Sequence, residues 1–284
     1  MTRRPDEPVP EAIALPIERS GSATSLLSEY FQLTALARGP WSPDAAHGGA
    51  PGALLVRAAE LFGGDEMRLA SLSCTFNGPV TLGEIGIEAE VSKPGRKQKV
   101  ISERLVTGNR TLIDARAVLL RRGEVRLPSG VAEITPSMAP PEEGRSVESG
   151  VWAAGASLTF YGTANTIRMI EGGIDEVGPT GSGWFRLEYP VVPGETPTGA
   201  QRAAAAADFG NGLAHPVPFG EYIFVNCDLN LSLFREPAGD WIGVTSETSV
   251  DPIGAGLTVT ALHDREGPFG AASQTLFVER SRDN

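Results

Sequence analysis

The chain is poor in the side chains that carry metal and redox chemistry. Among 284 residues there are two cysteines, Cys74 and Cys227, and three histidines. Neither Cys-x-x-Cys nor His-x-x-x-His spacing occurs, which argues against a zinc site. No metal and no cofactor is expected. The two cysteines sit far apart in apolar, strand-like runs, so they read as buried thiols of a reducing cytoplasm rather than a disulfide. No apolar run approaches the roughly 20 residues of a membrane span. The net charge of −11 argues against nucleic acid, whose phosphates need clustered Lys and Arg. The opening MTRRPDEPVPEAIALPIERSG begins with basic residues, but acids and prolines follow where a signal peptide needs an apolar region. It reads as a flexible arm. Gly-x-Ser-x-Gly is absent, which excludes the serine-hydrolase route, and Asp208-Phe209-Gly210 lacks the other kinase motifs. The glycines at 254 and 256 lie between strands, so they form no dinucleotide fingerprint.

What is present is an ordinary globular composition, 41% hydrophobic and 21% charged. The length allows one large domain or two ordinary ones. Residues 123–150 are rich in Pro, Gly and Glu without periodicity, as in a linker or a long surface excursion. On either side the chain repeats itself. LASLSCTFNGPVTLGE and the runs after it, to AVLLRR, resemble FVNCDLNLSLFREPAGDW and the runs after it, to LFVER. Phe76 matches Phe234, Pro79 matches Pro237 and Leu119 matches Leu276. Alternating apolar runs between turn signals predict antiparallel strands. Each half has one helix before most of its strands, HGGAPGALLVRAAELFGG and PTGAQRAAAAADFGNG, the second expected to stop at Gly-Asn-Gly. The expectation is an α+β protein with an arm (1–20), a first unit (21–122), a linker (123–150) and a second unit (151–284). It has two tandem antiparallel sheets, each wrapped around one long helix and paired edge to edge, which removes two exposed edges.

The halves differ where chemistry needs them to. Asn226 corresponds to Arg68, and Gln274 to Ala117. The second helix carries Asp208, whereas the first has only Arg57 and the late Glu60. A carboxylate can take a proton from water, and neutral amides can hold that water, having both donors and acceptors. Each has a plainer alternative. Asp208 could bond to the turn at Gly210–Gly212, Gln274 could face solvent, and Asn226 could be structural.

"AAHGGAPGALLVRA", the turn at Gly95-Arg96, "ADFGNG", "NCDLNLSLFREP" and "SQTLFVER" together resemble the acyl-CoA thioesterase II family, over roughly residues 20–125 and 155–282. The resemblance implies a double hotdog and hydrolysis of an acyl-CoA or other acyl-thioester. It also implies homo-oligomers through the hotdog sheets. In that family an Asp on the second helix, a Thr on the following strand and a Gln on the last strand act together. Asp208 and Gln274 match, while Asn226 departs from the Thr. By the same resemblance His47, Gly48 and Gly49, at the start of the first helix, would bind the thioester oxygen, or the segment is a plain flexible helix start with His47 bonded to backbone. The basic turn with Arg96, Lys97 and Lys99 could hold coenzyme A phosphates, or be a solvated hairpin. Two other functions compete. A hotdog hydratase needs paired Asp and His, for which no Asp-x-x-x-x-His spacing occurs. A non-catalytic acyl-binding or assembly module is kept open by the loss of Thr at Asn226.

Overall fold

The computed structural model describes residues 8–18, 27–131, 134–147, 158–173 and 176–281. The first half contains β1 (Ala14–Ile17), β2 (Leu27–Leu33), α1 (Gly49–Leu61), β3 (Met67–Phe76), β4 (Gly83–Lys93), β5 (Gln98–Thr107) and β6 (Arg110–Arg121). A short β7 (Arg145–Ser146) follows. The second half contains β8 (Asn165–Glu171), β9 (Thr180–Leu187), α2 (Gly199–Ala207), α3 (Gly210–Leu213), β10 (Tyr222–Asn226), β11 (Asp228–Leu233), β12 (Trp241–Asp251), β13 (Ala255–Asp264) and β14 (Gly267–Arg280).

The strands form one continuous antiparallel sheet rather than two separate ones. Its order is β1-β2-β4-β5-β6-β3-β11-β14-β13-β12-β9-β8-β7, with β10 also paired to β14. The order mirrors itself about the β3–β11 contact, where Cys74 faces Leu229 and Leu72 faces Leu231. The halves therefore share hydrogen bonds at the edges that would otherwise be exposed.

Both helices lie inside this sheet. From Gly49 to Ala59, α1 is buried on every side, as its almost wholly apolar composition requires. Its one internal charge, Arg57, is held by Glu195 through two bonds of 2.6 and 2.7 Å and by Glu29 at 2.8 Å. α1 and α2 touch through their smallest residues. A Cβ on Gly49 would lie 2.4 Å from the carbonyl oxygen of Ala205, and one on Gly52 3.9 Å from the Ala204 methyl. The alanine run thus lets two helices approach almost backbone to backbone. Thr198 begins α2 by accepting a bond from the Gln201 N–H at 3.1 Å.

Part of the expected N-terminal arm is structured. Ala12, Ile13 and Ala14 are fully buried, and Ala14–Ile17 pairs with β2. The Ile13 and Ala14 N–H groups bond to the carbonyls of Pro190 and Val191, so this apolar segment ties the first half to the second. Residues 1–7, 19 and 20 of that arm lie outside the described residues. Part of the expected linker runs across the second half, where the Ala139 carbonyl accepts from Trp184 Nε1 at 2.8 Å.

Candidate active site

α2 ends at Ala207, and Asp208 caps it with helical backbone angles (φ −71°, ψ −10°). The Gly-Asn-Gly expected to stop the helix instead begins α3. Gly210 is small because the sheet comes close: a Cβ there would lie 2.6 Å from Thr260 Oγ1 and 2.8 Å from Gln274 Oε1. Below it the interior face of the sheet is polar, with Ser246 bonded to Thr260 at 2.8 Å and Thr248 to Thr258 at 2.7 Å. In the first half the corresponding cross-strand pairs are Ala89–Glu103 and Val91–Ile101.

Asn226 is the last residue of β10. At Cys227 the chain changes partner. Its N–H bonds to the Thr275 carbonyl at 2.8 Å and its carbonyl accepts from Phe76 N–H at 2.9 Å. This break puts Cys227 on the exposed side, whereas the apolar run around it predicts burial. Cys74 is buried as expected, and burial first, then Glu103 and Asp208, pushes its thiol upward.

Three donors and the His47 ring converge on the Asp208 carboxylate. Asn226 Nδ2 reaches Oδ1 at 2.6 Å and Gln274 Nε2 reaches it at 3.3 Å. Gly49 N–H reaches Oδ2 at 2.9 Å, as does His47 Nδ1. The Gly49 N–H is shared, since it also donates to His47 Nδ1 at 3.2 Å. The His47 ring packs against both Phe160 and Phe209, with centroids at 5.1 and 4.3 Å. Asn211 joins the cluster from α3. Its backbone N–H donates to Gln274 Oε1 at 3.2 Å and its Nδ2 to Asn226 Oδ1 at 2.7 Å.

A cavity of about 430 Å³ opens onto this cluster. It lies between the loop before α1, the segment after β3, the α2–α3 junction and the end of β10. Asp208, Asn226, His47 and Gly48 line it, and most of the rest is apolar and aromatic, including Trp41, Phe76 and Phe219. Apolar walls with a few convergent polar groups are the usual form of a small-molecule site. The Gly48 N–H has no hydrogen bond among the described residues.

The structure brings together Asp208, Asn226, Gln274, His47, Gly48 and Gly49. Gln274 is fully buried, which removes its solvent-facing alternative, and it stands behind Asp208 rather than on the cavity wall. Arg96, Lys97 and Lys99 are not part of this cluster. Lys99 Nζ bonds to the Phe62 carbonyl at 2.6 Å, at the far end of α1, about 20 Å from Gly49 by the helical rise. Sequence spacing could not show the His47–Asp208 pair, because its members lie in different halves. Asn211 gave no signal beyond turn chemistry. Glu60 lies at the start of α2, bonded to Thr198 Oγ1 and Gln201 Nε2, both at 2.9 Å, and does not line the cavity. Among the described residues no cluster of three His, Cys, Asp or Glu is arranged to hold a metal ion, and no helix is long and apolar enough to cross a membrane.

Comparison with known families decides the class. Residues 37–120 match the N-terminal domain of acyl-CoA thioesterases, and residues 131–278 match their C-terminal domain. The chain belongs to the acyl-CoA thioesterase family. It is a thioester hydrolase.

The solved structures agree in fold. A conserved hot dog fold protein of unknown function from Alicyclobacillus acidocaldarius has a TM-score of 0.69 at 14% identity, covering 89% of this chain and 93% of that one. The tesB protein of Mycobacterium avium subs paratuberculosis gives 0.67 at 16%, with 92% and 95% covered. The acyl-CoA thioesterase II TesB2 of Mycobacterium marinum gives 0.62 at 12%, with 88% and 97% covered. No curated protein matches the sequence. At these identities the thioesterase likeness to solved structures is one of fold, and the family rests on the two matched domains.

Proposed function

We propose that the protein hydrolyses acyl-CoA thioesters with water activated by Asp208, assisted by Asn226 and Gln274. The observation that carries this reading is the convergence of both amides on one carboxylate oxygen beside an apolar cavity. A water entering from the cavity meets Asp208 Oδ1 and the Asn226 amide, displacing one donor from a carboxylate that already accepts three. Asp208 takes a proton from the water as its oxygen attacks the carbonyl carbon. The new C–O bond forms while the carbonyl π pair moves to oxygen. The unengaged Gly48 N–H is the donor for that oxyanion. When the oxyanion collapses, the C–S bond breaks, and the proton held by Asp208 goes to the departing thiolate. Gly49 and His47 fix the carboxylate from its other side.

The mirrored strand order supports a duplicated hotdog, with units 21–122 and 151–284 joined by 123–150. Leu257 and Val259 are exposed on the outer face of the second half's sheet, which supports association of copies through that face. The acyl group and thiol carrier follow from a panel of acyl-CoA and acyl-carrier-protein thioesters, read by free-thiol release. In Asp208→Asn, thiol release falls at least ~10²-fold, the usual loss on removing a general base. Turnover at the wild-type rate in a folded Asp208→Asn sample refutes the mechanism. A 2-enoyl-CoA in the same panel distinguishes hydration from hydrolysis.

A further inference from the structure

The substrate cavity touches Asn211, a residue that neither motif nor family resemblance assigns a part. It is 8% exposed and uses two donors in two directions. Its backbone N–H can only donate, so the Gln274 atom it meets at 3.2 Å must be the carbonyl oxygen. That orientation leaves the Gln274 NH2 facing Asp208. The carboxylate can only accept, so the Asn226 atom 2.6 Å from it must be nitrogen. Asn226 Oδ1 then points the other way, to the Asn211 NH2 at 2.7 Å.

We infer that Asn211 is a positioning residue that sets the direction of both amides flanking Asp208. This rests on the proposed role of Asp208. A primary amide has two nearly isosteric orientations, and in the wrong one Asn226 presents oxygen to the carboxylate. Donors at Asn211 make that orientation unfavourable at both amides. A threonine hydroxyl can rotate its hydrogen to suit its neighbours, whereas an amide cannot, so the departure at Asn226 creates the need for Asn211. The backbone bond to Gln274 depends on the α2–α3 junction, which Gly210 allows by its fit against Thr260 and Gln274. The side-chain bond to Asn226 can be tested alone.

The experiment compares Asn211→Ala, Asn211→Ser and Asn211→Asp with wild type in the full-length enzyme, measuring kcat, KM and unfolding temperature. Asn211→Ala lowers kcat about 10-fold with KM little changed, as for loss of one hydrogen bond to a polar partner. Asn211→Ser retains a hydroxyl donor and falls between Ala and wild type. Asn211→Asp offers only acceptors, so Asn226 stands between two carboxylates and its single NH2 cannot serve both, which lowers kcat at least ~10²-fold, more than Ala. In an Asn226→Ala background the further loss from Asn211→Ala disappears, because the contact is already gone. Wild-type kcat in Asn211→Asp, equal losses in Asp and Ala, or full additivity with Asn226→Ala overturns the inference. If Asn211→Ala does not fold, the order Ser above Asp and the Asn226→Ala cycle run with Ser decide it. Asp208→Asn run alongside separates the two readings. Full turnover there removes the site as a whole and this inference with it, whereas loss there with wild-type kcat in Asn211→Asp removes this inference alone.

Discussion

The backbone N–H of Gly49 donates to Asp208 Oδ2 at 2.9 Å across 159 positions of sequence. It joins the first turn of one buried helix to the cap of the other. The bond is possible because Gly49 has no Cβ, since a Cβ would lie 2.4 Å from the Ala205 carbonyl oxygen. Gly49→Ala should therefore push α1 and α2 apart. The expected cost is about 1–3 kcal/mol, as for overpacking in a core, together with a loss of turnover. Thermal unfolding with thiol-release kinetics on the same sample checks it, and a variant matching wild type in both would show that the helices are not packed this closely.

Asn226 stands where the resemblance places a threonine. A hydroxyl in Asn226→Thr can still face Asp208 but is too short to keep both of the asparagine's contacts. Turnover should remain within about 10-fold of wild type, whereas Asn226→Leu, with no polar group, should lose at least ~10²-fold. Equal rates in the two variants would show that position 226 acts through shape alone.

Glu60 is the first half's nearest equivalent of Asp208, but it meets the start of α2 rather than a cavity. Burial first, opposed by bonds from Gln201 and Thr198, raises its carboxyl above the ordinary value. Glu60→Gln keeps an acceptor for these partners and should leave turnover within ~2-fold. A large loss at unchanged unfolding temperature would put chemistry in the first half as well.

Much of this was readable before any coordinates, and the reasons differ by residue. The repeat, the two helices and the alternating strands follow from periodicity, which depends on local burial. Asp208 and Gln274 stood out because the second half has polar groups where the first has apolar ones. The continuity of the sheet through β3 and β11 was less legible, because pairing between distant strands leaves no local mark. The same holds for the Asp208–His47 pair. Gly210 begins α3 rather than forming the turn that ends α2, and in sequence a glycine needed for close approach looks the same as one needed for a turn. The prolines and acids of the N-terminal segment suggest a flexible arm, yet Pro16 lies in β1, an edge strand, where proline is tolerated.

Glu103 follows from the same comparison of halves. Both of its oxygens lack a hydrogen bond, because Ala89 occupies the place that Ser246 takes opposite Thr260. Burial raises its carboxyl well above the ordinary value of 4.5. Below pH 4.5 the proton is bound in folded and unfolded chains alike, and the residue's contribution is at its most favourable. As the pH rises toward the folded-state titration, the unfolded chain ionises first and stability is lost. Glu103→Gln should therefore be more stable than wild type near neutral pH, by about 1–3 kcal/mol, with the gap closing below pH 4.5. Denaturant unfolding across pH 4 to 8 measures it, and a gap that does not change with pH would mean the carboxyl has a partner.

The β3–β11 seam and the Gly49–Asp208 bond have a consequence for reaction order. His47, Gly48 and Gly49 belong to the first half, and Asp208, Asn226 and Gln274 to the second, so neither half holds all of the proposed site. In the intact chain both sets arrive together at any dilution, and specific activity is independent of enzyme concentration. Cut between residues 123 and 130, the protein becomes two fragments whose activity must reappear as the product of their concentrations, falling with the square of dilution below their dissociation constant. Duplication within one chain thus turns what would be an encounter of two molecules into a property of one.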